Sequence, residues 1–195
     1  MKNCAVFAAA LALASGAAVA DDNRLSYDYL ELRYAESEVE INDGFDDFDV
    51  EGDGFVLNGL VEVGGAFHLF ASYDRLEFDD NVDVSTTVYG GGFNFSITPR
   101  TDLVLRLGFA DARFETPFFE DEDDGVFTSV GIRTMVHEDI ELYGSLASLD
   151  LDNAADEEIA TLGLDFFLTD SLALGPWVQV IDDTTTWTIG AKVYF

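Results

Sequence analysis

The 195-residue sequence contains a single cysteine, Cys4, so no disulfide can form within the chain. Hydrogen bonds and packing alone must hold the fold. Positive charge is almost as scarce: 9 Lys and Arg stand against 39 Asp and Glu, a formal net charge of −30. Nucleic acid and anionic headgroups would be repelled by so acidic a surface, which argues against either as a direct partner of its charged parts. Beyond the first segment no stretch approaches 18 consecutive apolar residues, which excludes a membrane-spanning helix. Helical periodicity is missing throughout. Yet hydrophobic residues make up 48% of the chain, far too many for a disordered acidic tail.

The first residues are read apart from the fold. Lys2 supplies a short positive start, Cys4 to Leu13 is an apolar run, and Ser15-Gly16-Ala17-Ala18-Val19-Ala20 ends in the small-x-small pattern of a signal-peptidase site. The apolar run is too short to span about 30 Å as a helix. This pattern predicts a signal peptide over 1–20, removed with Cys4, and one domain over 21–195.

In that domain the apolar period is two. Ten segments approach the ~9–11 residues a tilted strand needs to cross a bilayer. They fall at Leu25–Ala35, Gly54–Val63, Phe67–Phe78, Val84–Ile97, Leu103–Glu115, Gly125–Val136, Ile140–Leu149, Ile159–Leu168, Leu172–Asp182 and Thr185–Phe195. In the fifth, Leu103, Leu105, Leu107 and Phe109 share one face, opposite Val104, Arg106, Gly108 and Ala110. One face is continuously aliphatic or aromatic, and the other is small, hydroxylated or singly charged. That polarity suits lipid outside and a narrow lumen inside. Connections alternate between long acidic ones (Glu36–Asp53, Asp79–Asp83, Thr116–Asp124, Asp150–Glu158) and short ones (64–66, 98–102, 137–139, 169–171). The reading is an all-β fold: a transmembrane antiparallel up-and-down β-barrel of ten strands. Eight remains the alternative, because the last outer connection, Asp182-Asp183-Thr184, is so short. Aromatics near strand ends, among them Tyr27, Tyr73, Phe95 and Trp187, suit interfacial girdles, whereas Tyr29 and Phe167 share parity with polar residues and suit the lumen.

The chain closes on Ala191-Lys192-Val193-Tyr194-Phe195, a terminal Phe with apolar residues at alternating positions before it. Val193, Tyr194 and Phe195 look like the signal by which outer-membrane barrels are recognised for assembly. With the export signal and the hairpin rhythm, the mature chain resembles the small Gram-negative OmpA/OmpX-like outer-membrane barrels. Leu25-Ser26-Tyr27-Asp28-Tyr29 and Phe67-His68-Leu69-Phe70-Ala71-Ser72-Tyr73 resemble the short Ax-type outer-membrane proteins. The resemblance implies a place in the cell outer membrane, contact with its lipid and lipopolysaccharide, and passage through periplasmic chaperones and the assembly machinery. It implies no chemistry and no cofactor.

Candidate chemistry lies in the inward charges. Parity directs Glu31, Arg33, Glu62, Asp74, Arg106, Arg133, Glu141, Asp165 and Lys192 into the lumen. Five acids and four bases in a narrow space are costly unless paired, so a salt-bridged, largely plugged lumen is expected, with a polar wire or gated pore as the alternative. Asp47-x-Asp49-x-Glu51-Gly52 imitates the start of an EF-hand loop, but position 12 is Asn58 and no helices flank it. A metal centre is therefore not expected, and looser Ca²⁺ or Mg²⁺ binding by Asp47, Asp49 and Glu51, or by Glu120 to Asp124, stays open. Both histidines, His68 and His137, fall beside short turns, away from the outer rim where barrel enzymes hold their general base. The sequence thus points to a structural or surface-interaction barrel with acidic extracellular loops. A narrow pore for small solutes is the alternative, and an enzyme is disfavoured.

Overall fold

The computed structural model describes residues 25–42, 47–78, 82–154, 156–182 and 184–195, the side chains of 40–49 excepted. The proposed signal peptide lies outside the described residues. Ten strands follow one another: β1 (Tyr29–Asn42), β2 (Asp47–Gly64), β3 (Phe67–Phe78), β4 (Val82–Thr98), β5 (Thr101–Thr116), β6 (Phe119–His137), β7 (Ile140–Leu151), β8 (Glu157–Thr169), β9 (Leu172–Ile181) and β10 (Thr184–Tyr194). Each pairs antiparallel with its sequence neighbour, and β1 pairs with β10, so the sheet closes and leaves no edge. The ten-strand expectation is borne out and the eight-strand alternative falls. Two residues, Asp182 and Asp183, suffice to join β9 to β10, and Asp182 adopts φ 47°, as a tight hairpin turn requires.

Alternation sorts the side chains as the sequence implies. Odd residues of β1 and β6 to β9, and even residues of β2 to β5 and β10, point inward. Outward positions form an apolar belt in which Leu146 is 64% and Ile189 63% exposed. Water would not tolerate so continuous a surface, and lipid does. On one side the belt ends in Tyr34, Phe55, Tyr73, Tyr89, Phe109 and Trp187, a girdle at headgroup depth. The next outward positions on β1, β2, β3 and β5 are charged: Glu36, Asp53, Arg75 and Asp111. At the opposite rim four two-residue turns join the strands, and Gly64 and Gly65 use positive φ in the first of them. Leu25 and Phe195 lie at this rim too, because Phe195 N–H donates to Asp28 O.

The acidic segments differ from expectation. Glu36–Asp53 and Thr116–Asp124 are not long loops: β1 and β2 run on to pair Asn42 with Asp47, and β5 and β6 pair down to Thr116 with Phe119 across Pro117-Phe118. The backbone ladder is indifferent to side-chain charge, and above the belt both faces of a strand are wet, so acidic composition mimics a loop. Asp47, Asp49 and Glu51 accordingly lie at alternate positions of β2, which an EF-hand loop cannot do. Strands β1, β2, β4, β5 and β6, at 14 to 19 residues, are thus longer than β7 to β10, at 10 to 13.

Candidate functional site: ionic clusters in the lumen beneath an open cavity

The lumen holds two ionic clusters near the short-turn rim. In the first, Arg33 donates to Glu31 and, at 3.0 Å, to Asp165 Oδ1. Lys192 donates to Asp165 and lies 3.6 Å from Glu31. Asn58 Nδ2 donates to Glu31 Oε2 at 3.0 Å, and Trp177 Nε1 donates to Asp165 Oδ1 at 3.1 Å. All four charged side chains are 1–2% exposed. Two acids and two bases make the group formally neutral, and neutral donors take up lone pairs that the cations leave. That completeness offsets the desolvation of burying ions.

The second cluster centres on Arg133, whose Nε and Nη2 donate to the two oxygens of Glu141 at 2.8 and 2.9 Å. This fork matches the carboxylate geometry, and Nη1 donates to Ser26 O at 2.9 Å. Aromatic rings seal the spaces between the charges. The Arg33 guanidinium lies 4.0 Å over Trp177, Arg133 lies 4.6 Å over Tyr27, and Lys192 Nζ lies 4.8 Å from the Tyr29 centroid. Small residues make the room. A Cβ on Gly163 would fall inside the Trp177 indole, and one on Gly92 would meet His68.

Of the nine inward charges, Glu31, Arg33, Asp165 and Lys192 form one group and Arg133 and Glu141 another. The other three join no ion pair among the described residues. Glu62 is half-buried at the short-turn rim, where its backbone N–H donates to Asp28 Oδ1 at 2.7 Å. Among the described residues Asp74 accepts from Ser72 Oγ alone, at 3.0 Å. Arg106 lies 5.5 Å over Phe70, and its Nε has no hydrogen-bond partner. Pairing of Arg106 with a carboxylate, expected from its inward parity, is therefore not found. Parity says which way a side chain points, but the strand stagger that sets its height comes only from barrel closure.

Several lumen residues escaped sequence reasoning. Asp102, assigned there to a turn, is the second residue of β5 and accepts the Tyr27 hydroxyl at 3.1 Å. Its parity with Arg106 could have revealed it. Tyr27, offered to a girdle, is 1% exposed and stacks on His68. Within the terminal motif, Val193 faces outward, whereas Tyr194 points inward and its hydroxyl donates to Glu141 at 3.3 Å. His68 is fully buried at the short-turn end, and His137 is exposed in the β6–β7 turn. His137, Glu138 and Asp139 bring three ligand atoms within 4.8 Å, but His137 Nδ1 already accepts the Asp139 N–H at 3.3 Å, which closes the turn.

Above the two ionic clusters a cavity of about 190 Å³ opens. Its wall runs from Tyr29, Arg33 and Arg106 at the floor to Glu157 and Ile181 at the outer ends of β8 and β9. Higher still, Asp123 on the tall wall accepts the backbone N–H groups of Asn153 (3.0 Å) and Ala154 (2.9 Å) and the Asn153 side chain (2.9 Å). Slight desolvation pushes its carboxyl up, but these donors together outweigh that and hold it below the usual range.

No protein-family model matches the sequence, and neither does any curated protein. The translocator domain of the autotransporter NalP from Neisseria meningitidis is similar in fold, with a TM-score of 0.52 at 8% identity over 100% of this chain and 95% of that one. The outer-membrane protein OprG from Pseudomonas aeruginosa gives 0.48 at 10% identity, covering 90% and 99%. The KdgM porin gives 0.45 at 10%, covering 86% and 99%. With its sheet closed and its outer face apolar, the chain has the fold of a small antiparallel β-barrel.

Proposed function

We propose that the protein is a non-enzymatic, largely closed barrel that anchors an acidic β-wall at the cell surface as a structural and surface-interaction element. The observation that carries this reading is the neutral four-charge cluster of Glu31, Arg33, Asp165 and Lys192, buried across the lumen. A ten-strand barrel has little room beyond its side chains, and ions held this tightly leave no hydrated path. Outer-membrane lipid and lipopolysaccharide are the partners of the belt, and residues 1–20 serve as the export signal that brings the chain to chaperones and assembly machinery. Divalent cations suit the tall wall, where Glu36 faces Asp53 and Glu38 faces Glu51 across the β1–β2 ladder.

A narrow pore is the second reading, favoured by the cavity above the plug. Planar-bilayer recording separates the two. The closed barrel gives no reproducible unit steps in KCl at any moderate voltage, whereas uniform, protein-dependent steps would establish the pore.

A further inference from the structure

Three residues that line the cavity above these clusters each carry a buried polar atom without a partner: Arg106 Nε, Arg33 Nε and Thr188 Oγ1. Arg33 is otherwise saturated by Glu31, Asp165 and the Gly175 carbonyl. Arg106 is not. No carboxylate pairs with it among the described residues, and its guanidinium lies 5.5 Å over the Phe70 ring. In a chain with more than four acids per base, a cation left unpaired in the lumen is out of keeping with every other inward base. Arg106 is half-buried, and a guanidinium held in the lumen without an ionic partner is costly, so an anion entering the cavity would supply what it lacks.

We propose that this cavity binds a small monocarboxylate, with Arg106 as the residue that holds the carboxylate. The planar guanidinium fork matches two carboxylate oxygens better than it matches a spherical halide. Phe70, Phe127, Tyr143 and Ile159 supply apolar wall for the rest of such a molecule. At about 190 Å³ the cavity is below the ~300–1,000 Å³ typical of drug-sized ligands, so the occupant is compact. Asp74 and Glu157 line the same cavity and select against a second negative charge. That separates a carboxylate from sulfate or phosphate. The proposal rests on the closed-lumen reading only for the cavity's floor, and binding is measured without reference to conductance, so the two can fail separately.

Trp177 lines the cavity and Trp187, the other tryptophan, faces lipid. In a Trp187→Phe background, folded protein in detergent micelles therefore reports on the cavity through Trp177 emission. Sodium acetate and sodium benzoate should each give a saturable change. Sodium chloride and sodium sulfate at matched ionic strength should not. Arg106→Met should weaken the response by at least about tenfold, the equivalent of one charge-assisted hydrogen bond, with Arg106→Lys in between. The proposal is overturned by the absence of saturation with either carboxylate, by an equal response to chloride or sulfate, or by an unchanged response in an Arg106→Met protein that keeps its heat-sensitive gel mobility. Should Arg106→Met not fold, the salt comparison in the parent protein decides.

Discussion

The two halves of the lumen treat charge in opposite ways. Near the short-turn rim, six of the nine inward charges interlock within two groups, each carboxylate met by a cation and most by a neutral donor as well. Toward the outer rim, Arg106 and Asp74 face open space without an ionic partner among the described residues. The lower half therefore keeps its charges mutually satisfied, whereas the upper half carries charges that no ionic partner requires. A group retained where it does not stabilise is a candidate for binding.

The largest effect should come from splitting the Arg133–Glu141 fork. Arg133→Met leaves Glu141, 1% exposed, without its counter-ion, and should cost roughly 3–5 kcal/mol in urea unfolding from micelles. Adding Glu141→Leu should restore most of that loss, because the double variant buries no orphaned charge. Additive losses would mean that this end of the lumen is wet, and the contrast with the upper half would vanish.

In the upper half the same substitutions should do little. Arg106→Met and Asp74→Asn each remove a charge without stranding a partner. Both should be neutral or stabilising, within about 1 kcal/mol by the same unfolding measurement. A loss comparable to that of Arg133→Met would reveal a hidden partner and erase the distinction.

The smallest effect concerns the tall wall, where Asp123 holds the start of the β7–β8 loop. Because its carboxyl is held below the usual range, the carboxylate form favours the bound loop. Protection of the Asn153 and Ala154 amides from hydrogen exchange should be complete at neutral pH and be lost only as pH falls through the lowered value. Asp123→Asn should reduce protection at all pH values, and an identical pH profile in that variant would assign the protection to the backbone ladder alone.

How much of this was legible beforehand depended on the length scale of the signal. Strand facing and the apolar belt follow from a period-two pattern confined to neighbouring residues, as in Leu103, Leu105, Leu107 and Phe109 of β5, whereas the short Asp182–Thr184 connection left the strand number between ten and eight. Acidic stretches misled, because Glu36–Asp53 reads as loop by composition while its backbone continues to pair above the membrane. Asp102 and Tyr27 were hidden for a similar reason: a polar residue beside a turn looks like part of it.

By itself, then, the sequence determined an antiparallel up-and-down barrel, with ten strands expected and eight left open, and the inward facing of nine charged residues, since alternation is a local property of an extended backbone. Only the tertiary structure decided which of those charges meet. Pairing of Arg33 with Asp165, 132 residues apart, depends on the stagger of the strands around a closed ring. That stagger also leaves Arg106 without a carboxylate. Strand height is a property of the whole barrel, and no single stretch of sequence carries it.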